Sequence, residues 1–366
     1  MLRFILLLFL LLLSPFNHAE TQKSLAIVTC GGWIQPWDPD SIKSGITGSE
    51  EAVIYMSQEL AKLGYKVSVL GNPPENSPYS RSDANPRYVS INSYDGTKFD
   101  IAISWRMPNI AGQLKTHARA VYLWPHDSCQ CYLSAEQIND FTGVLWLSQW
   151  QRQQWMSINL PFAKFEKIFG NAIFPEQFKP VHDRTNPYSC IYGSNYGLGL
   201  EVLLDIWPDI KKQYPQATLD IYYGWQHWGM LSPEKEAKMR TQVAALAASG
   251  VTDHGLVGHE ELNRAYEQAS FWTYPCIGNE TFCITAIRAQ FAGAVPVIIE
   301  GSCFKETVRH GYKCQTAGEY QATLIKAMQE AEKITLADRQ KMGDFIRKEY
   351  TWKIMAEKWK QHFDQQ

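Results

Sequence analysis

Between Gly278 and Val297 the chain reads GNETFCITAIRAQFAGAVPV. The polar opening leads into Thr281 to Ala292, a run of small and apolar residues that predicts a helix buried over most of its surface. Gly293 closes it. Val295 to Ile299 then has the length and branched residues of a buried parallel strand. A helix feeding a buried strand through a glycine turn is the repeating step of an α/β sheet. The alternation continues outward from this step. Upstream, Tyr188 to Tyr192 and Leu219 to Tyr223 read as strands. Leu200 to Lys212 reads as a helix with Leu203, Leu204, Ile206, Trp207 and Ile210 apolar. Pro233 to Ser249, stopped by Gly250, and His259 to Gln268 read as further helices. Downstream, Asp338 to Phe363 is helical by composition and spacing.

A second, earlier run of the same alternation lies before a segment rich in Pro, Asn, Asp and Arg, FPEQFKPVHDRTNP, at residues 174–187. Leu25 to Cys30 is a short apolar strand ending at Gly31 and Gly32. The next helix has Ser49 as N-cap, Glu50 and Glu51 in its first turn, and Val53, Met56, Leu60 and Leu63 at spacings of three and four. Gly64 stops it, and Lys66 to Leu70 is the following strand. This is a βαβ unit, right-handed by default. Asp100 to Ser104, Ala120 to Trp124 and Val144 to Ser148 add strands to one open parallel sheet. The expected organisation is a targeting segment at 1–19, a first Rossmann-like domain at 24–175, a linker at 176–187, a second at 188–345 and a final helix at 346–366.

With 366 residues, two cores are expected. A formal charge of -2 gives no basic excess, which excludes nucleic acid as the expected partner. Arg3 followed by the apolar run Phe4 to Leu13, broken by Ser14, Pro15 and Asn17, reads as a signal peptide cleaved after Ala19 or as an uncleaved anchor. The expectation is an exported chain, or one associated with a membrane through this segment. The run falls short of the roughly 20 residues a span needs. The eight cysteines (Cys30, Cys129, Cys131, Cys190, Cys276, Cys283, Cys303, Cys314) form no CxxC pair, so no metal site is expected. An exported chain could pair some of them.

In facing Rossmann-like lobes a ligand lies at the carboxyl ends of the strands, so residues just after strands are the candidates. Gly45 to Ser49, with Gly45, Gly48 and Ser49, opens a helix and would let backbone amides approach a diphosphate; it reads equally as an ordinary βα turn. His126 and Asp127 directly follow a strand. His126 would donate to a sugar hydroxyl or orient a reacting group, or else serve in packing. Ser194 follows the first strand of the second half. Asn279, Glu280, Thr281, Phe282 and Cys283 precede a buried helix. Glu280 is expected at that helix's N-terminus, either as a cap or as a carboxylate binding two sugar hydroxyls.

At these residues the chain resembles the retaining GT-B glycosyltransferases of the E-x7-E type (glycosyltransferase family 4, group 1). The resemblance runs over almost everything after the targeting segment. It rests on Gly45–Glu51 with Glu59–Val67, on Leu123–Asp127, on Leu147–Trp150, on Glu261–Tyr266 with Ala269–Pro275, on Glu280–Ile287 with Ala292–Val297, and on Tyr350–Trp352 with the final helix. It implies two facing Rossmann-like domains with the C-terminal helix crossing back to the first. It also implies transfer of a hexose-type sugar from a nucleotide sugar, with retention, to a glycan, lipid or protein acceptor. Neither metal nor cofactor is implied, the nucleotide sugar being a substrate. By resemblance Glu280 would bind the donor sugar's hydroxyls, His126 would lie near the sugar, and Gly45 to Ser49 would line the diphosphate and acceptor side.

Two positions depart from the pattern. The second glutamate, which accepts from the nucleotide ribose, falls on Arg288. A guanidinium has only donors, and would pair with a phosphate or a neighbouring carboxylate instead. A basic residue that holds the diphosphate falls on Leu198, where losing a charge-assisted contact costs about 1.5–3 kcal/mol. Three other readings therefore stand beside an active transferase: a degenerate GT-B protein binding glycan or nucleotide without turnover, an exported two-lobed solute-binding protein, and a nucleotide-sugar epimerase.

Overall fold

The computed structural model describes residues 22–29, 35–225 and 231–365. The targeting segment, Cys30 and the Gly31–Gly32 turn lie outside them. The first lobe carries β1 (Ser24–Val28), α1 (Ser41–Ser44), α2 (Gly48–Lys62), β2 (Lys66–Gly71), β3 (Arg87–Ser90), β4 (Phe99–Trp105), α3 (Ala111–Lys115), β5 (Ala118–Trp124), α4 (Ala135–Asn139), β6 (Gly143–Val144) and α5 (Gln149–Ile158). The second carries β7 (Ser189–Gly193), α6 (Leu200–Gln213), β8 (Thr218–Tyr222), α7 (Pro233–Leu246), β9 (Val251–Gly255), α8 (His259–Gln268), β10 (Phe271–Tyr274), α9 (Ile284–Ala292), β11 (Val295–Ile299), α10 (Phe304–Thr307), β12 (Tyr312–Cys314) and α11 (Ala317–Gln329). Helices α12 (Leu336–Glu349) and α13 (Trp352–Asp364) end the chain.

Each lobe is one six-stranded sheet, ordered β3-β2-β1-β4-β5-β6 and β12-β11-β10-β7-β8-β9. Every ladder is parallel. The order reverses beside β1 in one sheet and beside β7 in the other, so each has its crevice at the carboxyl ends of the central strands. The expected final helix is two helices. The chain breaks at Tyr350 and Thr351, where Ile173 donates to the Tyr350 carbonyl at 3.0 Å and Trp352 donates back to Ile173 at 3.2 Å. This bridge returns the chain to the first lobe. There Trp352, Met355, Ala356, Trp359 and Phe363 of α13 join the core built on α2.

The helix expected from Thr281 starts at Ile284. Cys283 takes the N-cap position with φ +62, in the left-handed region, and the preceding residues are drawn across to the other lobe. The strand expected over Val144 to Ser148 is paired only through Val144, with one bridge from Trp146 to Ile168. Phe282, Ile284, Ile287 and Phe291 belong to the first lobe's core rather than to that of their own sheet. No described helix is long and apolar enough to cross a membrane. The seven described cysteines are all unpaired.

Candidate functional site

The loop between β10 and α9 is where the lobes meet. The Thr281 hydroxyl donates to the His126 carbonyl at 2.8 Å, and the Ser148 hydroxyl donates to the Thr281 carbonyl at 2.7 Å. Beside them, the Glu306 carboxylate of α10 accepts from the backbone N–H groups of Gln149 and Trp150 at 2.8 and 2.9 Å. An anion from the second lobe thus caps the N-terminus of α5 in the first.

Glu280 sits in this loop and not in the first turn of α9, because the left-handed turn at Cys283 separates them. Its carboxylate accepts from the Tyr274 hydroxyl, which lies 3.0 Å from the Ser194 hydroxyl. Its backbone is fixed by the Ser302 hydroxyl and by the Cys303 N–H, each at 3.3 Å. Burial pushes the Glu280 carboxyl above its ordinary value, against the Tyr274 hydrogen bond that lowers it. Asn279 is exposed, and Phe282 is buried in the interlobe core. Burial raises the Cys283 thiol well above the ordinary range, which favours the neutral thiol over the thiolate.

His126 follows β5, packed against Trp105 and Trp124 with ring centroids 5.8 and 4.7 Å away. Its Nε2 is buried without a hydrogen-bond partner among the described residues. Burial, aided by the Arg106 charge, pushes the imidazole well below its ordinary value and keeps it neutral. Asp127 is held by Arg106 through two bonds, of 2.6 and 2.8 Å. Arg106 has φ +67, an unusual backbone for a side-chain-bearing residue and of the kind found at functional sites.

The Gly45 to Ser49 segment is packed against the second lobe. Gly45 has φ +106, and a Cβ there would lie 2.5 Å from the Val257 carbonyl oxygen. A Cβ on Gly48 would meet the Ile284 side chain at 3.4 Å. Ser49 is half-buried in the first turn of α2. The Ile46 carbonyl oxygen lies 3.2 Å from His259 Nε2. The N-terminus expected to face a diphosphate carries two buried carboxyls of its own, Glu50 and Glu51. Glu51 is claimed by Arg288: the guanidinium donates to Glu51 Oε1 at 2.7 Å, with both side chains at most 6% exposed. Of the two partners open to Arg288, the neighbouring carboxylate is the one it takes, and that carboxylate comes from the opposite lobe. Leu198 packs against the second lobe's core, and the nearest lysine along the following helix, Lys211, is bound to the Ala217 carbonyl.

Sequence reasoning did not single out Arg106, Tyr223 or Tyr274, and read Glu50 and Glu51 only as first-turn acids. Arg106 was in reach of the strand-end rule, one residue past β4. Tyr223 lies one residue past β8; burial, with the Glu50 and Glu280 carboxyls adding to it, raises its phenol above the ordinary range.

No family model and no curated protein matches the chain. Solved structures do. Sucrose-phosphate synthase from Thermosynechococcus elongatus superposes with a TM-score of 0.72 at 14% identity, over 94% of this chain and 99% of that one. HepE from Anabaena, in complex with UDP-glucose, gives 0.69 at 12%, over 94% and 100%. The fold is GT-B. The catalytic domain of starch synthase IV from Arabidopsis thaliana, bound to ADP and acarbose, agrees at 0.68 and 10%, over 94% and 99%. In this GT-B chain, His126, Arg106 and the start of α2 belong to the first lobe, and the Glu280 loop of the second lobe is tied to them through the Thr281–His126 bond.

Proposed function

We propose that this GT-B chain transfers a hexose-type sugar from a nucleotide sugar to a glycan, lipid or protein acceptor, with retention and without metal. The observation that carries the reading is the Glu280 loop. It presents a half-buried carboxyl, positioned by Tyr274, and ties itself to the His126 backbone of the opposite lobe. A carboxyl in the loop after β10 would hold two hydroxyls of a sugar, and His126 Nε2 would supply a buried, unpartnered polar atom from the opposite lobe. HepE and starch synthase IV hold UDP-glucose and ADP, and the same class of donor is proposed for this chain.

The test is thermal unfolding against UDP, GDP, ADP and their sugar conjugates, followed by nucleotide release with and without EDTA. A ligand at a hundred times its Kd adds about 2.7 kcal/mol of stability. A shift confined to one nucleotide, with EDTA-insensitive release, supports the reading. A cooperative unfolding transition that no nucleotide moves counts against it. A second reading, binding without turnover, is favoured by Arg288, which puts no carboxylate at that position and whose guanidinium is taken up by Glu51. It predicts a shift without release.

A further inference from the structure

Glu50 is used by nothing described so far. It lies in the first turn of α2, 1% exposed. The Thr47 hydroxyl donates to its Oε2. Its Oε1 is buried and accepts no hydrogen bond among the described residues; Arg106 Nη1 stands 3.9 Å away, beyond hydrogen-bonding distance. A carboxylate with one oxygen bonded and the other buried without a hydrogen-bond donor is costly, the Arg106 charge at 3.9 Å offsetting only part of it, and a proton on Oε1 removes that cost. The charged and titratable groups acting on it are Arg106 and Asp127 in the first lobe and Tyr223 from the second, while Glu51, next along the helix, is turned to Arg288. Burial lifts the Glu50 carboxyl above its ordinary value despite Thr47 and Arg106, which pull the other way.

We propose that Glu50 is a ligand-contacting residue of the cleft, whose neutral carboxyl donates a hydrogen bond from Oε1 to a phosphate oxygen of the sugar nucleotide. This rests on the glycosyl-transfer reading and deepens it. A helix N-terminus favours an anion, but two ionised glutamates in its first turn would repel one. With Glu51 neutralised by Arg288, a protonated Glu50 turns the remaining repulsive group into a donor.

The variants are Glu50→Gln, which keeps a neutral donor of the same shape, and Glu50→Ala, which removes it. They are measured by calorimetric titration of the full chain with UDP, GDP and ADP. The infrared carboxylic-acid band of wild type minus Glu50→Gln is recorded at neutral pH. The expected result is nucleotide affinity kept by Glu50→Gln, lost by about ten- to a hundredfold in Glu50→Ala, and a protonated-carboxyl band that vanishes in Glu50→Gln. Equal loss in both variants, or none in Glu50→Ala, overturns the proposal while leaving glycosyl transfer standing. Absence of the band overturns it whatever binds. A wild type that binds no nucleotide, with the band present, overturns the glycosyl-transfer reading and the phosphate contact together.

Discussion

The Arg288–Glu51 pair should behave as the charged bolt of the closed lobes. At 2.7 Å and an effective dielectric of about 20, the gross attraction is roughly 6 kcal/mol. Much of this is offset by stripping water from two groups at most 6% exposed. Removing one partner is different, because it strands the other charge in the interior, at about 3–5 kcal/mol. Arg288→Met should incur most of that cost: His259, 3.7 Å from Glu51, is held below its ordinary value by burial and by the Arg288 charge, and with Arg288 gone it takes up a proton only against its burial. Glu51→Gln should incur a similar cost for a buried guanidinium, and Arg288→Glu alone should be worse, setting two carboxylates side by side. The reversed pair, Glu51→Arg with Arg288→Glu, restores attraction in the same slot. It should recover at least about 2 kcal/mol relative to the sum of the single changes, a coupling typical of groups in contact. The assay is urea unfolding followed by Trp fluorescence, with nucleotide affinity measured on each variant. If Arg288→Met stays within about 1 kcal/mol of wild type, or the reversal is merely additive, the pair does not lock the lobes.

Glu280→Gln should lower turnover by about a hundredfold or more while leaving stability within about 1 kcal/mol, because Tyr274 can still donate to an amide oxygen. Turnover near the wild-type rate refutes the assignment. Gly45→Ala forces φ +106 on a side-chain-bearing residue and drives a Cβ to 2.5 Å from the Val257 oxygen. Gly64→Ala has φ +94 and open space, so any excess loss in Gly45→Ala, expected to exceed about 1 kcal/mol, measures the lobe contact; equal losses deny it. Burial depresses His126 and His259 below the ordinary 6.5. The unfolded chain therefore binds more protons as pH falls through 6.5, and the contribution of these groups, whole above 6.5, is lost on acidification. Glu50 and Glu280, raised above 4.5, act in the opposite sense, losing their contribution as pH rises. They are common to both proteins when His126→Phe is compared with wild type. That variant should flatten the decline in unfolding free energy between about pH 7 and about 5.5, and an unchanged slope would falsify the buried-neutral reading.

What the sequence made legible was local. His259–Gln268 and Val295–Ile299 lie where their periodicity and glycine stops put them, since both signals sit inside the element. Strands β3, β9 and β12 escaped because RYVS, VTDHG and YKC lack an apolar run; their pairing with β2, β8 and β11 makes them strands. Thr281 and Phe282 look helical by composition, yet His126 and Ser148 hold Thr281 from more than a hundred positions away. The same limit hid the site's electrostatics. Glu280 and His126 follow strands and can be found by that rule. Glu51 lies 237 positions from Arg288 and reads in isolation as a first-turn acid, the role its helix dipole also favours.

These contacts bear on how a donor could enter. The described charges near α2 are already matched, Arg106 with Asp127 and Arg288 with Glu51. Glu280 has no cation beside it among the described residues and Glu50 has only Arg106 at 3.9 Å, and both carboxyls are lifted by burial. A diphosphate arriving beside them adds negative charge in a region of low dielectric, which lifts both further. Whatever fraction of either is ionised beforehand should therefore take up a proton on binding. Nucleotide titrations in buffers of different ionisation enthalpy should give an apparent binding enthalpy that varies with the buffer in the sense of net proton uptake. The dependence should shrink in Glu50→Gln. Net proton release in a chain that binds nucleotide would mean that the phosphates lie away from both carboxyls and that α2 serves the acceptor side alone, whereas no buffer dependence means that both carboxyls are already protonated in the free chain.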